Sequence, residues 1–241
     1  MAATDRDSGP TRHASDPAEA VVPGPIARVD RPPAAARDWY DRLSRWYDLV
    51  ADPFEAPARA AGLGLLAPVA GERILDVGCG TGSALVRIAR DVAPDGTAIG
   101  LDVADGMCHA SKRALEGAGC DSGTVIAGDA TLTPFRNGAF DAVFASFVLE
   151  LFDTPSIPAV LAEWRRILAA DGRLCVVALS RRSPGLATRT YETLHDRLPR
   201  YLDCRPIYLR DTLVESGFEV RAEREAAVWR LPVEIVHCEP A

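Results

Sequence analysis

Three glycines at alternating positions separate a strand-like segment from a helical one. Residues 73–77 form a short apolar run typical of a buried strand, and Gly78, Gly80 and Gly82 follow it. A helical pattern of apolar residues that includes Leu85 begins directly afterwards. Glycines in such a turn let a ligand approach the backbone closely. The segment therefore predicts an α/β unit with a ligand site at its turn.

The same order of strand and helix repeats along the chain. Further strands are predicted at residues 97–102, 124–128, 140–146 and 173–179. Their alternation with helices indicates a parallel sheet covered on both faces. Two later apolar segments, residues 218–223 and 233–238, are expected to pair antiparallel at the sheet edge. We predict an α/β fold with a doubly wound, seven-stranded, mostly parallel sheet whose last strand is antiparallel.

Two further helices are predicted, one before the first strand and one before the fifth. Trp39, Trp46 and Tyr47 fall at helical spacing before the first strand, which predicts an aromatic stripe on a helix. A second helix is expected to start at Thr154 and to end at residues 171–172, before the fifth strand.

The first 37 residues differ in composition from the rest. They are rich in Pro, Ala and charged residues and lack apolar periodicity, so we interpret residues 1–37 as a flexible tail and 38–241 as one domain. No apolar run or acid-free segment marks a secretory or mitochondrial leader, and a cytoplasmic location is expected. No stretch of about 18 apolar residues occurs, which argues against a spanning helix but leaves peripheral membrane contact open.

Charge and metal-binding residues exclude several classes of function. The net charge is −7 without a block of Lys or Arg, which disfavours a nucleic-acid substrate because phosphate neutralisation needs a basic surface. The six cysteines form no C-x-x-C pair, and the four histidines have no metal-ligand spacing. Neither a metal site nor a redox motif is predicted, and nothing indicates the oligomeric state.

Acidic residues mark the ends of three successive strands. Asp76 lies at the end of the first, Asp102 ends the second, and Asp129 follows the third. All three would face one crevice at the carboxyl edge of the sheet, where Asp102 can accept bonds from ribose hydroxyls. A dinucleotide fingerprint is the nearby alternative, but its third glycine comes one residue early, and Ser83 stands where that motif has glycine or alanine. Asp76 would also repel a pyrophosphate, so a cationic ligand is favoured.

These motifs resemble those of the class I S-adenosylmethionine-dependent methyltransferases. The resemblance covers roughly residues 38–238 and is carried by residues 75–82, 100–102, 128–130, 140–143 and 164–174. It implies a Rossmann-like methyltransferase fold and S-adenosyl-L-methionine as cofactor. Residues 40–48 are similar to the opening of enzymes that methylate ubiquinone and menaquinone precursors on carbon, or phospholipid amines on nitrogen. Residues 147–150 differ from the run in the quinone enzymes, which argues against a quinol acceptor.

The resemblance also implies roles for individual residues. Asp76 and the glycine turn would surround the methionine part, Asp102 the ribose, Asp129 the adenine, and Ser146 the sulfonium side. In full, it predicts cofactor contacts for Tyr40, Asp76, Gly78, Gly80, Thr81, Gly82, Asp102, Val103, Asp129, Ala130, Ser146 and Phe147.

Three residues are catalytic candidates beside the acceptor. A sulfonium is an activated donor, so transfer needs mainly alignment, and a base only where the acceptor must lose a proton. His195 is the candidate base, with a packed or surface histidine as the alternative. Tyr47 could close over the site with Tyr40, or it packs on the sheet. Glu150 could line the acceptor pocket, or it caps the helix near Pro155.

The predicted activity is methyl transfer to a small hydrophobic or lipid-like acceptor at carbon, nitrogen or sulfur. The expected pocket wall is apolar: Trp39, Tyr40, Trp46, Tyr47, Phe147, Leu149 and Phe152. Arg205 could pair with an acidic group on the acceptor, or it is a solvated loop arginine. Two alternatives stay open: a phenolic O-methyltransferase that uses His195 as base, and a non-catalytic S-adenosylmethionine-binding protein.

Overall fold

A computed structural model describes residues 52–182 and 205–241. Its strands are β1 (Arg73–Val77), β2 (Thr97–Asp102), β3 (Gly123–Ala127), β4 (Phe140–Ser146), β5 (Leu168–Leu179), β6 (Phe218–Val228) and β7 (Leu231–Pro240). Its α-helices are α1 (Asp52–Leu66), α2 (Ser83–Val92), α3 (Asp105–Ala118), α4 (Ile157–Ile167) and α5 (Leu209–Glu215). Two short 3₁₀ helices, Leu149–Leu151 and Thr154–Ser156, follow β4.

The strands form one seven-stranded sheet in the order β3-β2-β1-β4-β5-β7-β6. Strands β1 to β5 pair in parallel, and β7 pairs antiparallel with both β5 and β6. The direction in which successive strands are added to the sheet reverses between β1 and β4. Strands β2 and β3 lie on one side of this point, and β5 and β7 lie on the other. Ligands of open α/β sheets bind at such a switch point, outside the carboxyl ends of the strands. The predicted sheet with its antiparallel last strand is confirmed.

Side chains of β1 alternate between the two faces of the sheet, as strand geometry requires. Leu75 and Val77 enter a hydrophobic cluster with α4 and α5. Ile74 enters a second cluster with α1, α2 and the far side of β4 and β5. Asp76 therefore belongs to the face that α1 covers. The carboxyl group of Asp76 therefore lies beneath α1, a helix that the apolar periodicity of the sequence did not predict.

The fifth strand begins earlier than expected. Helix α4 ends at Ile167, and Leu168 already pairs with Phe140 of β4, so the prediction of helix up to residues 171–172 is wrong. Leu168 and Phe140 are buried in the same hydrophobic cluster, so Leu168 packs as part of the sheet. The third strand lies one residue earlier than expected, and β6 and β7 are longer.

Several expectations concern residues outside the described ranges. The flexible tail, the aromatic stripe, Tyr40, Tyr47 and His195 all lie there and stay predictions. In the part of the chain that the structure describes, no helix is both long enough and apolar enough to cross a membrane.

Candidate functional site

The glycine turn after β1 has three glycines in the left-handed region. The φ angles of Gly78, Gly80 and Gly82 are 64°, 53° and 93°. A Cβ on Gly78 would lie 2.5 Å from Val148 Cγ2, and one on Gly82 would lie 2.9 Å from the Ser111 Cα, so both positions require glycine for packing as well. A Cβ on Gly80 would meet nothing within 4 Å. Open space beside Gly80 is where a ligand can reach the backbone.

Asp102, at the end of β2, is fixed against this turn. The Gly80 N–H donates to Asp102 Oδ2 at 2.9 Å, and the Ala104 N–H donates to Oδ1 at 2.9 Å. A carboxylate oxygen has two acceptor positions, so these bonds orient the group and leave capacity for hydroxyl donors. Val103 and Thr81 are half-buried.

Asp76 is 2 % exposed, and its Oδ2 has no hydrogen-bond partner in the described structure. Burial raises the pKa of Asp76 to about 7, the guanidinium of Arg59 opposes that rise, and the negative charge of Asp102 adds to it. A buried oxygen without a partner costs stability unless a ligand satisfies it. The group that fits here is a hydrogen-bond donor with positive charge.

The turn after β3 carries the residues predicted to face adenine. Asp129 is exposed, and its Oδ1 accepts a bond from the Thr131 N–H at 2.8 Å. The carbonyl oxygen of Ala130 accepts from Trp164 Nε1 at 3.1 Å, which anchors the turn to α4. The turn therefore holds Asp129 at the same edge of the sheet as Asp76 and Asp102.

The segment after β4 runs beside the glycine turn. Ser146 is half-buried at the strand end. Phe147 has a φ of 57° and donates its N–H to the Val177 carbonyl at 2.8 Å, and its side chain lies in the cluster under α1. Leu149 is completely buried in the other cluster, with Phe152 packed against it. Core packing therefore accounts for these three apolar side chains, and their contribution to a pocket wall stays a prediction.

Glu150 is 1 % exposed in the first 3₁₀ helix. Its Oε1 accepts a bond from the Leu179 N–H at 3.2 Å, and its Oε2 has no partner within the described residues. Burial raises the pKa of Glu150 to about 8, with a further contribution from the negative charge of Glu55. The alternative that Glu150 caps the helix near Pro155 is wrong, because the carboxyl turns inward to β5 and that helix start has no side-chain cap.

Sequence reasoning missed two charged residues of α1. Arg59 Nη2 pairs with Glu55 Oε2 at 3.0 Å, and both side chains are about nine-tenths buried. The fields of this pair reach Asp76 and Glu150. The signal was present, because an acid followed four residues later by an arginine is typical of a helix face.

Arg205 lies at the same carboxyl edge. Its side chain is 11 % exposed, and Nη2 lies 3.4 Å from Asp153 Oδ1, so the alternative of a solvated arginine is wrong. Among the residues that the structure covers, no group of His, Cys, Asp and Glu is arranged to hold a metal ion.

Residues 74–172 match the family model of the methyltransferase domain. By this similarity, residues 74–172 are a methyltransferase domain. The matched residues include the glycine turn, Asp76, Asp102 and Glu150. The similarity to the family therefore covers the carboxyl edge of the sheet. S-adenosylmethionine is the cofactor of the family, and its cationic methionine part fits the partnerless oxygen of Asp76 and the open space at Gly80.

Curated relatives of this chain are named for different acceptors. The nocamycin O-methyltransferase of Saccharothrix syringae is 38% identical over 135 residues, which are 56% of this chain and 48% of that protein. The demethylmenaquinone methyltransferase of Beutenbergia cavernae is 35% identical over 161 residues, 65% of this chain and 62% of the relative. The chain thus spans about half to three fifths of the length of these relatives.

Solved structures share the fold of this chain. A SAM-dependent methyltransferase from Aquifex aeolicus aligns with a TM-score of 0.60 at 17% identity, covering 82% of this chain and 97% of that one. The alignment confirms the Rossmann-like architecture and carries no information about the acceptor.

Proposed function

We propose that this protein transfers the methyl group of S-adenosylmethionine to a small hydrophobic acceptor. Bound cofactor supplies a sulfonium methyl group that a carbon, nitrogen or sulfur nucleophile can attack in line. The chain's own task is to hold both molecules and to exclude water from them.

The observation that carries the proposal is the carboxyl pair at the ends of β1 and β2. Asp102 is oriented by two backbone N–H groups for ribose hydroxyls, and Asp76 offers a buried oxygen without a partner to the cofactor's ammonium. In this proposal Gly78, Gly80, Thr81 and Gly82 line the methionine part, and Val103 lies at the ribose. Asp129 and Ala130 bind adenine, and Ser146 and Phe147 border the sulfonium side.

Two exposed aromatic rings support a hydrophobic acceptor. Phe54 near the start of α1 and Trp229 in the β6–β7 turn are 52% and 50% exposed, with ring centroids 5.3 Å apart. Trp229 lies at the carboxyl edge of the sheet, because Val233 of β7 pairs with Leu179 at the end of β5. An exposed aromatic pair at the rim of a site is suited to apolar or aromatic molecules.

An oxygen acceptor is the second candidate, favoured by the O-methyltransferase named among the relatives. A hydroxyl acceptor must lose a proton, and a base works best when its pKa lies near the working pH. The raised pKa of Glu150, about 8, suits this role. Glu150 would then act as the base, alone or with the predicted residues His195 and Tyr47.

The test supplies cofactor with an isotopically labelled methyl group and panels of quinols, phenols, apolar carboxylic acids, amines and thiols. Labelled product and S-adenosylhomocysteine should appear only with apolar acceptors and should disappear in Asp102→Ala protein. Mass spectrometry of the product distinguishes methylation at carbon from methylation at oxygen. Cofactor binding without turnover on any panel would instead support the non-catalytic alternative.

A further inference from the structure

Trp229 is held at the carboxyl edge of the sheet in an unfavourable backbone conformation. It forms, with Arg230, the two-residue turn between β6 and β7, and Val228 pairs with Leu231 across this turn. The φ angles of Trp229 and Arg230 are 49° and 66°. Tight hairpin turns with two positive φ angles favour Asn and Gly, because most other side chains are strained there. Strained positions of this kind cluster at functional sites, so the tryptophan is a candidate for a functional role.

The residues on both sides of the turn are anchored in the domain. Val228 and Leu231 are buried in the hydrophobic cluster under α1. The Ser180 N–H donates to the Pro232 carbonyl at 2.8 Å, which ties the start of β7 to the residue after β5. The backbone that carries the indole of Trp229 is therefore fixed relative to the ends of the parallel strands.

The indole of Trp229 and the ring of Phe54 together form an open aromatic surface. The two residues are 50% and 52% exposed, and their ring planes meet at 52° with centroids 5.3 Å apart. Each ring packs against the other and leaves about half of its residue open to solvent. Removing such a surface from water favours binding of a flat apolar molecule, because its rings can stack on the indole.

The place of the hairpin in the sheet sets the length of a ligand that reaches it. In the proposed function, methyl transfer takes place at the switch point between β1 and β4. The hairpin joins β7 and β6, three strand spacings away in the sheet order. Neighbouring strands are about 4.8 Å apart, so the two places are separated by roughly 14 Å. A tryptophan side chain spans only about half of this distance, so a single-ring acceptor at the switch point would not touch Trp229.

We propose that Trp229 and Phe54 form a distal subsite for the methyl acceptor, and that the acceptor is an extended, flat molecule of fused aromatic rings. Its reacting atom lies at the switch point, and its farthest ring stacks on the indole. The inference rests on the proposed function for the place of methyl transfer, and it adds the length and the shape of the acceptor.

Equilibrium binding tests the subsite without turnover. Protein saturated with S-adenosylhomocysteine is titrated by calorimetry with phenol, 2-naphthol and 2-anthrol, which share one hydroxyl group and differ in the number of fused rings. The fourth ligand, 4-heptylphenol, is extended but has a single ring. Wild-type protein should bind 2-anthrol most tightly of the four.

Trp229→Asn removes the ring and introduces a residue that suits the turn, so the melting temperature should be unchanged or higher. Affinity for 2-anthrol should fall about tenfold, as expected for loss of a stacking contact and its buried area, whereas affinity for phenol should change less than about twofold. Trp229→Phe should keep most of the affinity, and Phe54→Ala should reduce it severalfold. Val69→Asn is the matched control and should change none of the affinities, because Val69 is 59% exposed before β1, at the opposite edge of the sheet.

Equal losses for phenol and 2-anthrol would show that Trp229 supports the whole site, and the proposal would be overturned. Unchanged binding of 2-anthrol would overturn it as well, and so would an equal loss for 4-heptylphenol, because the subsite would then accept any apolar chain. Wild-type protein that binds none of these arenes also overturns the subsite. Binding of 2-anthrol that depends on Trp229, without methyl transfer to any acceptor, would instead refute the proposed function and leave the subsite in place.

Discussion

The two halves of the carboxyl edge are built in different ways. After β1 and β2, backbone N–H groups and glycine conformations fix the site, and Gly80 and Asp102 are only 22 residues apart. After β4 and β5, buried charged groups fix the site. Glu150 accepts a hydrogen bond from Leu179, 29 residues away, and α1 contributes Glu55 and Arg59 from a distant segment. We call the first half the motif half, because it is a local motif. We call the second the packed half, because it depends on the packing of the whole domain. Substitutions in the first half should therefore act mainly on ligand binding, and substitution of Glu150 in the second half should act on pH-dependent stability.

The largest effect is expected for Asp102→Ala in the motif half. Losing two charge-assisted hydrogen bonds to the ribose, each worth about 1.5 to 3 kcal/mol, should weaken cofactor binding at least about a hundredfold. Titration calorimetry with S-adenosylhomocysteine measures this, and Asp91→Ala on the exposed side of α2 is the control. Wild-type affinity in Asp102→Ala protein would refute the ribose assignment.

Glu150→Gln tests the packed half through stability. The pKa of Glu150 rises on folding from its ordinary value to about 8, so the folded state holds a proton that the unfolded state releases. This contribution is present at low pH and is lost as pH rises through 8, which should lower the unfolding free energy of ligand-free protein by roughly 2 kcal/mol between pH 6 and pH 9.

Denaturant unfolding at several pH values checks the prediction. Glu150→Gln protein should lose less stability over this range, and the remaining decline should come from Asp76, whose pKa is raised in the same direction. Parallel pH profiles for the two proteins would mean that Glu150 is not the buried acid responsible.

Cofactor binding should depend on pH through the ionisation of Asp76. The ammonium needs ionised Asp76, whose pKa is about 7 in the ligand-free protein. Affinity for S-adenosylhomocysteine should therefore rise with pH and level off above about 7, falling about tenfold per unit below it. Asp76→Asn protein should bind weakly and with a flat profile across this range, and a wild-type profile that is flat between pH 5.5 and 8 would contradict the assignment.

Alanine substitutions at two glycines of α1 should have the smallest effects, and they form a matched pair for measuring how tightly α1 packs. A Cβ on Gly62 would lie 2.5 Å from Val177 Cγ2 of β5, whereas one on Gly64 would meet nothing within 4 Å. Gly64→Ala should stabilise the protein by about 0.5–1 kcal/mol through helix propensity. Gly62→Ala should destabilise it by about 1 kcal/mol through overpacking against the sheet. Equal effects in thermal unfolding would show that α1 is not packed tightly on β5.

Much of the motif half could be predicted from the sequence. The bounds of β1, β2 and β4 agree with the expected ones, because apolar runs bounded by turn residues specify buried strands. The glycine turn and Asp102 lie where their spacing indicates, because short loops connect them. Their assignment to the cofactor stays a proposal that the titrations above can decide.

The packed half gave weaker signals. Helix α1 is rich in Ala and Gly and contains Pro57, so its sequence lacks a clear apolar stripe, and its contacts with β5 and β7 stabilise it instead. Glu150 was found as a candidate, but its inward turn to Leu179 depends on the end of β5, which no local pattern encodes. The relation of Arg59 to Asp76 requires knowing which face of the sheet α1 covers.

The position of β7 between β5 and β6 has a consequence for how the domain is completed during synthesis. Strand β6 leaves the ribosome first, yet within the described sheet its hydrogen-bond partner is β7 alone. It joins the rest of the sheet through β7, as one arm of a hairpin whose turn is formed by Trp229 and Arg230. Both turn residues adopt the left-handed conformation that a tight two-residue hairpin turn requires, which is less favourable for residues other than glycine, Asn and Asp. The aromatic rim of the proposed acceptor site is therefore assembled in the step that finishes the sheet.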